Sequence, residues 1–235
     1  MKILIIQVSV ILLDVLSCSR DTEFDVEVLE SGVLPKTNPA SAPNEWLLAH
    51  IDVETTGLLP GYHEVIDIGL VMTDLGGEIL DSLFLRIHPQ YPDRLSEGAF
   101  NVNAFDPEKW KELEALSIAN AVDSIIAFHK KVAGNKSVLL VAYNCQFDSA
   151  FLDHLFRAAG KTWRELYHYF VLDIPSMAWG LGFSDLSSQK LMKLYNIPDE
   201  PHIAEFHTGI TGAMVNVRIY QGFLRYREEH FIDEK

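Results

Sequence analysis

The stretch of sequence that decides the fold runs from Trp46 to Gly57 and reads WLLAHIDVETTG. It is mostly apolar up to Val53 and then becomes acidic and threonine-rich, which is typical of a central buried strand that ends at a site. Side chains along a strand alternate between its two faces, so Asp52 and Glu54 point the same way. A bare Asp-x-Glu is most often an ordinary acidic strand end. The longer Asp-x-Glu-Thr-Thr-Gly motif is far more specific, and paired carboxylates of this kind favour Mg²⁺ or Mn²⁺.

The segments around this stretch predict a mixed α/β sheet. Strands are expected at residues 46–53, 65–73, 79–87, 137–142 and 169–173, with a hairpin turn at Asp74-Leu75-Gly76-Gly77. Helical spacing of apolar residues predicts helices at 107–131 (broken near Ser117), 147–159, 186–195 and 209–226. Three adjacent, mostly antiparallel strands followed by alternating helices and strands are typical of a single mixed α/β domain.

A second acidic motif begins where the strand at 137–142 ends. The sequence from residue 142 reads AYNCQFD and places Asp148 at the start of a helix, so its carboxylate can be aimed at Asp52 if the two strands are neighbours. Acidic residues also favour the first turn of a helix, and capping need not exclude metal binding. A third candidate is His207, just before the last predicted helix, although a lone histidine there is most often structural.

Together these ordered motifs resemble those of the DEDDh family of 3′ to 5′ exonucleases over residues 46–226. The resemblance implies a ribonuclease H-like fold, in which a mixed sheet is flanked by helices in a single domain. It also implies a metal-dependent 3′ to 5′ exonuclease acting on the 3′ ends of single-stranded DNA or RNA. Such an enzyme hydrolyses the terminal phosphodiester with two Mg²⁺ (or Mn²⁺) ions and releases nucleoside monophosphates.

The resemblance also assigns roles to individual residues. The metal ligands of the first two motifs correspond to Asp52, Glu54 and Asp148. The general base that takes a proton from the attacking water corresponds to His207, and a side chain with a pKa of about 6.5 suits that task. The residues implied in nucleotide binding are Thr55, Thr56, Gly57 and Asn144.

The third motif departs from the family pattern His-x-Ala-x-x-Asp-Ala. With His207 as its start, Gly212 stands where the fourth metal-binding Asp belongs, whereas Ala213 fits the final alanine. A register that starts at His202 would put His207 at the Asp position as a nitrogen ligand. That register loses the match of Ala213 to the helix that follows, so the first one is favoured.

The missing carboxylate leaves two functions open. The first is an active exonuclease, in which Glu205, Asp185 or a water replaces the lost ligand. The alternative is a catalytically impaired exonuclease-like protein that binds nucleic acid or a protein partner. The presence of the other motif residues favours the enzyme. If the missing carboxylate limits the site, Gly212→Asp should fit the helix and raise hydrolysis.

The N-terminal residues are interpreted as an export signal. Residues 3–16 are almost entirely apolar, too short to span a bilayer comfortably but typical of a signal peptide. The run ends at Ser17-Cys18, which is similar to a bacterial lipoprotein processing site. Residues 1–18 are therefore predicted to be a signal peptide, and acylated Cys18 would attach an exported protein to a membrane. A cytoplasmic protein is the alternative.

Composition sets the remaining limits. Residues 19–45 are first acidic and then rich in Pro, Ser, Asn and Ala, which predicts a flexible linker, and 227–235 are interpreted as a C-terminal tail. The formal charge of -14 argues against a broad basic face wrapped along a duplex, so any nucleic-acid contact should be small and local. The two cysteines, Cys18 and Cys145, support neither a disulfide framework nor a zinc motif.

Overall fold

The computed structural model of the chain describes residues 37–198 and 207–231. The predicted signal peptide with Cys18, the linker up to residue 36, His202, Glu205 and the end of the predicted tail lie outside the described residues.

A mixed sheet forms the centre of the fold. Its strands are β1 (Trp46–Thr55), β2 (Val65–Thr73), β3 (Ile79–Arg86), β4 (Ser137–Ala142) and β5 (Val171–Asp173). They lie in the order β3-β2-β1-β4-β5. β1 pairs antiparallel with β2, as β2 does with β3, whereas the β1–β4 and β4–β5 pairs are parallel. The predicted single α/β domain is confirmed, and the strand that carries Asp52 is central.

Helices cover the sheet on both sides. They are α1 (Glu97–Asn103), α2 (Pro107–Glu112), α3 (Ile118–Ala133), α4 (Cys145–Ala158), α5 (Ile174–Gly180), α6 (Ser188–Leu194) and α7 (Gly209–Phe231). The predicted break near Ser117 is present, because the Ser117 hydroxyl accepts a hydrogen bond from the Asn120 N–H and begins a new helix. α1 and α5 were not predicted, since helices of 7 residues are too short to show helical periodicity clearly.

Among the predicted boundaries that differ from the structure are the start of β5 and the end of α7. β5 begins at Val171 rather than at residue 169, because Tyr169 and Phe170 pack against His168 with ring centroids 4.4 and 4.8 Å away and do not pair with β4. α7 continues past residue 226 to Phe231. Its last turns include a stacked contact four residues apart between Tyr226 and His230, at 4.1 Å between centroids, which supports the added helix.

The two faces of the sheet pack against different helices. One core joins apolar residues of β1 to α3 and α4, and its members include Ala49, Ile51, Val53, Val122, Ile125, Phe151 and Leu152. The other joins β1 to α5, α6 and α7, and its members include Trp46, Leu48, Ile174, Leu191, Ile219 and Phe223. Each fully buried Val, Leu, Ile or Phe side chain in these cores stabilises the fold by about 1.5–3 kcal/mol.

α7 reaches the sheet through glycine contacts at its first turn. A Cβ on Gly69 of β2 would lie 2.2 Å from the Gly209 carbonyl carbon, and a Cβ on Gly209 would lie 2.5 Å from the Asp52 carbonyl oxygen. Both distances are far shorter than any real contact, so the two backbones can approach this closely only without side chains. The start of α7 therefore lies directly on the end of β1.

α7 is the longest described helix, with 23 residues. Its inner side is buried at Ala213, Asn216, Val217 and Phe223, while its last two turns are mostly exposed and charged. Over residues 37–198 and 207–231, neither α7 nor any shorter helix has the length and apolar content needed to cross a membrane.

Candidate active site

The end of β1 and the start of α7 meet at Glu54 and His207. Glu54 is buried, and its Oε1 lies 3.1 Å from His207 Nε2. The histidine side chain is 31% exposed, so the pair has one buried member and one that reaches solvent. The structure thus brings the first and third sequence motifs into direct contact.

Asn103 holds the other side of Glu54. Its Nδ2 donates to the Thr55 carbonyl at 3.0 Å and lies 3.4 Å from Glu54 Oε2. Asn103 is buried at the end of α1, and Ala104 after it turns the chain with a φ of 50°. Sequence reasoning missed this residue, because α1 was not predicted and the contact joins residues 49 positions apart.

Asp148 reaches the same part of β1 from α4. It is buried in the first turn of that helix, and its Oδ1 accepts a hydrogen bond of 3.2 Å from the Val53 N–H. Val53 lies between Asp52 and Glu54, so the second-motif carboxylate lies against the backbone that joins the two first-motif carboxylates. The N-terminus of α4 has a separate partner, since Asp173 Oδ1 accepts from the Cys145 N–H at 3.0 Å.

Gly212 lies directly over Asp52. A Cβ at position 212 would be 2.3 Å from Asp52 Oδ2 and 3.0 Å from Oδ1. Position 212 therefore faces a first-motif carboxylate, but it has no room for a side chain unless Asp52 moves. An aspartate introduced at this position would therefore fit only if the Asp52 carboxylate moved aside.

Asp67 is a buried carboxylate that the sequence analysis did not single out. It lies on β2 opposite Glu54 in the strand register and is 1% exposed. Its Oδ1 accepts a hydrogen bond of 2.8 Å from the Gly209 N–H. Because Gly209 follows His207 by two residues, Asp67 fixes the turn that carries the histidine to the sheet. No sequence motif marked it, and its partner is 142 positions away.

Burial shifts two of these carboxyl groups towards the neutral form. It raises the pKa of Asp148 well above its ordinary value, and the nearby Glu54 and Asp173 carboxylates raise it further, against the hydrogen bond from Val53. Burial also raises the pKa of Asp67 to about 7, although the hydrogen bond from Gly209 lowers it. A cation beside these groups would favour their charged forms instead.

The carboxylate oxygens are suitable ligands for a hard divalent cation, but the described side chains are not close enough together to hold one. In the described part of the chain no lysine or arginine nitrogen lies within 4.0 Å of the Glu54 or Asp148 carboxylate, and the one basic side chain paired with either of them there is His207 on Glu54. Carboxylate oxygens of this kind are the ligands that Mg²⁺ and Mn²⁺ prefer. Across residues 37–198 and 207–231, however, no three His, Cys, Asp or Glu side chains lie close enough together to hold one ion.

Asp185, one of the suggested replacements for the fourth carboxylate, makes local contacts. Its Oδ1 accepts from the Ser187 N–H at 3.1 Å and from the Ser187 hydroxyl at 2.8 Å, just before α6. The other suggested replacement, Glu205, is outside the described residues.

The Thr55–Gly57 turn is held by internal hydrogen bonds. Thr56 N–H donates to the Glu64 carbonyl at 2.9 Å, and Thr56 Oγ1 accepts from the Glu64 N–H at 3.0 Å. The Thr55 hydroxyl donates to the Gly57 carbonyl at 2.7 Å. The Thr56 carbonyl accepts from the Ser96 N–H at 2.8 Å. These bonds fix the shape of the turn, and they leave few of its own polar groups for a nucleotide.

Asn144 differs from that turn because its side chain is exposed. It lies just before α4 in the left-handed conformation, with φ 63° and ψ 54°, and its side chain makes no capping hydrogen bond to the helix. Asparagine tolerates this conformation better than most residues. Its amide is therefore open to a ligand from solvent, just before the helix that carries Asp148.

Comparison with known proteins agrees with this geometry. A sequence model of the RNase T family, described as Exonuclease, matches residues 50–220, a range that includes every residue of the site described above. No curated protein sequence matches this chain.

Solved structures share the fold at low sequence identity. The zinc-bound complex of E. coli exonuclease I with single-stranded DNA has a TM-score of 0.60 and 14% identity, covering 79% of this chain and 41% of that one. A moderately thermophilic exonuclease I from Methylocaldum szegediense gives 0.61 and 17%, covering 80% and 41%. The nuclease domain of 3′hExo, a DEDDh family member bound to rAMP, gives 0.62 and 18%, covering 80% and 96%. This chain thus spans only about two fifths of the exonuclease I chains.

Proposed function

Because this chain belongs to the RNase T exonuclease family, we propose that it is a 3′ to 5′ exonuclease that hydrolyses the terminal phosphodiester of single-stranded nucleic acid. The proposed products are nucleoside monophosphates. The observation that carries the proposal is the contact of His207 with Glu54. It lies at the end of the central strand β1, where Asp52 and Asp148 also lie.

The similar structures support the choice of substrate. Exonuclease I was solved with single-stranded DNA, and the nuclease domain of 3′hExo was solved with rAMP, a nucleoside monophosphate. The 3′hExo domain is matched over 96% of its length, so the shared fold is the nuclease domain itself. The charge of -14 favours a short single-stranded end over a long duplex as the ligand.

We propose that Asp52, Glu54 and Asp148 hold divalent cations. Such ions, when bound, polarise the phosphodiester and lower the pKa of a water nucleophile. The desolvated Asp148 carboxyl group supports this assignment, because burial without a basic partner makes its charged form costly and a cation reverses that cost.

His207 has the chemistry required of the general base. A neutral imidazole can donate one N–H to the Glu54 carboxylate and keep its other nitrogen as an acceptor for a proton. The Glu54 contact fixes the ring orientation, and Asn103 fixes Glu54 in turn. Asn144, with its exposed amide, is proposed to contact the terminal nucleotide.

The experiment is degradation of a single-stranded oligonucleotide labelled at either end, in Mg²⁺ or Mn²⁺. A 3′ label should appear at once in a mononucleotide, whereas a 5′ label should remain on a strand that shortens stepwise. A substrate with a blocked 3′ end should persist, and Asp52→Asn should remove the activity. Early release of a mononucleotide from the 5′ end would contradict the proposed direction.

A second function, binding without hydrolysis, is favoured by one observation. Gly212, which faces Asp52, carries no carboxylate, and we propose that it stands where the family pattern has a metal-binding Asp. The binding function would be supported if neither DNA nor RNA is degraded in Mg²⁺ or Mn²⁺ while the chain still binds a single-stranded oligonucleotide.

The membrane assignment concerns residues 1–18 alone. We propose that the chain is exported and attached to a membrane through acylated Cys18, on the basis of the apolar run and the Ser17-Cys18 pair. Mass spectrometry of the protein from its native host should find Cys18 at the N-terminus. An intact Met1 would refute export and favour a cytoplasmic protein.

A further inference from the structure

An arginine lies between two exposed tyrosines beside the candidate active site. The Arg94 guanidinium lies 3.7 Å from the centroid of the Tyr91 ring and 4.9 Å from that of Tyr62. Tyr62 is 53% exposed and Tyr91 is 46% exposed. These three residues are called the Arg94 cluster below.

The Arg94 cluster is fastened to the turn that ends β1. Arg94 Nη1 donates to the Tyr62 carbonyl at 3.2 Å, and the Ser96 N–H two residues later donates to the Thr56 carbonyl at 2.8 Å. The His63 ring, next to Tyr62, packs so closely on Gly57 that a Cβ there would lie 2.5 Å from it. The cluster is therefore a fixed continuation of the Thr55–Gly57 turn.

Tyr91 is fixed from the other side by a buried carboxylate. Glu64 accepts hydrogen bonds from the Gln90 N–H at 3.1 Å and from the Tyr91 N–H at 2.7 Å. Glu64 is 6% exposed and lies at the start of β2. Its charge is thus used by backbone groups of the segment that carries the cluster, and these bonds fix the backbone of Tyr91.

The charge of Arg94 is available to a ligand. Among residues 37–198 and 207–231 no carboxylate oxygen lies within 4.0 Å of its guanidinium. The chain as a whole has 33 acidic and 19 basic residues, so a cation held beside the active site offsets part of the negative charge that an approaching phosphate meets. Aromatic faces around such a cation keep it in place without neutralising it.

We propose that the Arg94 cluster binds the single-stranded nucleic acid just behind its terminal nucleotide, with Arg94 on a phosphate and the tyrosine rings on the bases. This rests on the proposed function, because it extends the path of the strand from the active site. Single-strand binding sites combine a cation for the backbone with aromatic rings on which any base can stack. The cluster offers both within one fixed surface, and its small size agrees with the acidic chain.

The experiment compares matched variants. Arg94→Gln, Tyr62→Leu and Tyr91→Leu change the cluster. The controls are Arg227→Gln, an exposed arginine near the end of α7, and Tyr169→Leu, whose 46% exposure equals that of Tyr91. Kd is measured for a single-stranded oligonucleotide in EDTA, so that no hydrolysis occurs, at several salt concentrations.

Each cluster variant should weaken oligonucleotide binding by about tenfold, as expected for loss of one stacked base or one charged contact. Arg94→Gln should also lower the slope of log Kd against log salt by about 0.7, the value for one phosphate contact on a single strand. The two controls should match the parent chain. Equal Kd values and salt slopes for Arg94→Gln and Arg227→Gln would overturn the proposal.

A one-nucleotide substrate separates this proposal from the proposed function. The p-nitrophenyl ester of thymidine 5′-monophosphate needs the active site alone, so the cluster variants should hydrolyse it like the parent while their kcat/KM on oligonucleotides falls. An equal fall on both substrates would show a distorted active site and would overturn the proposal. If the parent hydrolyses neither substrate, the proposed function fails, and the Kd and salt measurements still decide the role of the cluster.

Discussion

The two faces of β1 serve different purposes, although they alternate along one strand. The apolar face carries Ala49, Ile51 and Val53, which pack in the core under α3 and α4. The polar face carries His50, Asp52 and Glu54, which lie under α7. One face therefore stabilises the sheet, while the other holds buried polar groups that cost stability and can carry chemistry.

Successive polar residues of β1 meet successive positions along α7 and the turn before it. His207 lies at Glu54, Gly212 at Asp52, and Tyr220 at His50, with ring centroids 5.6 Å apart in the last pair. The helix thus covers the strand from the solvent-exposed end towards the middle of the sheet. His50 is fully buried, whereas Glu54 is 6% exposed and Asp52 is partly exposed, so a substrate can approach the end of the strand but not His50.

The largest expected effect is on the polar face at Glu54. Glu54→Gln keeps the shape and hydrogen-bonding groups next to His207 and Asn103 but removes the charge. Hydrolysis should fall at least about a thousandfold, because a proposed cation ligand is lost. The free energy of unfolding should stay the same or rise, since a buried charge is removed. A clear loss of stability with little loss of hydrolysis would show that Glu54 is structural.

On the apolar face a substitution should lower stability and leave hydrolysis unchanged, the opposite of Glu54→Gln. Ile51 is fully buried, and Ile51→Ala should lower the free energy of unfolding by roughly 3 kcal/mol, within the range for such truncations. Denaturant unfolding measures this directly. The kcat of the molecules that remain folded should stay close to that of the parent. A large fall in kcat for the fully folded variant would mean that the two faces are not independent.

His50 tests the polar face through pH. Burial lowers its pKa to about 3, while an unfolded histidine has a pKa of about 6.5. The unfolded chain therefore takes up a proton between these values that the folded chain refuses, so stability is lost as the pH falls from about 6.5 towards 3. Between pH 7 and 4.5 the loss should be roughly 2–3 kcal/mol.

The control is His50→Gln, which can still bond to Thr73 Oγ1, the 3.2 Å partner of His50 Nε2, but does not titrate. Its unfolding free energy should depend less on pH than that of the parent by the same 2–3 kcal/mol, as a rough figure. Identical pH slopes would show that His50 is not the group responsible.

Local pattern explains why much of this was predictable from sequence. Alternation along residues 46–54 is sufficient to put Asp52 and Glu54 on one face, and the turn at residues 74–77 is sufficient to pair the strands on either side of it. The second and third motifs, with their resemblance to the DEDDh family, singled out Asp148 and His207, and the structure places both beside β1. These features depend on periodicity and chain order, which a single sequence contains.

Contacts between distant segments explain what was missed. Asn103 and Asp67 belong to no motif, and their roles appear only when α1 and α7 are packed against the sheet. The internal bonds of Thr56 and the close approach at Gly212 are likewise products of packing. No periodicity or spacing encodes the distance between two packed segments. The sequence therefore showed Gly212 as a lost ligand but not as a point of close approach to Asp52.

Asp67 extends the polar face to β2, and two substitutions separate its charge from its hydrogen bond. Asp67→Asn keeps an oxygen that accepts from the Gly209 N–H, so fold and hydrolysis should stay close to the parent. Asp67→Ala leaves that buried N–H without an acceptor and should cost roughly 1–2 kcal/mol of unfolding free energy. Hydrolysis should also fall, because the turn before α7 positions His207.

The rate of hydrolysis by each variant is measured at a temperature where both are fully folded. If Asn and Ala reduce hydrolysis equally, the charge of Asp67 matters to the reaction and the hydrogen bond does not. If neither variant changes hydrolysis, the Gly209 contact has no part in placing the histidine.

The smallest net effect is expected at Gly212, where the structure adds a close contact with Asp52 that the sequence does not reveal. Any Cβ at this position lies 2.3 Å from Asp52 Oδ2, so both Gly212→Ala and Gly212→Asp must displace that carboxylate or lift α7. Gly212→Ala carries the displacement alone and should lower hydrolysis by about tenfold or less. Gly212→Asp adds a carboxylate near the displaced one, and the two effects should offset, leaving hydrolysis within about threefold of the parent. Hydrolysis rates of the three chains, measured in Mg²⁺ and in Mn²⁺, give the comparison. The ratio of the Asp to the Ala variant isolates the added carboxylate, since both carry the same Cβ. A large rise for Gly212→Asp over the parent would mean that the missing ligand, and not the space above Asp52, limits the site.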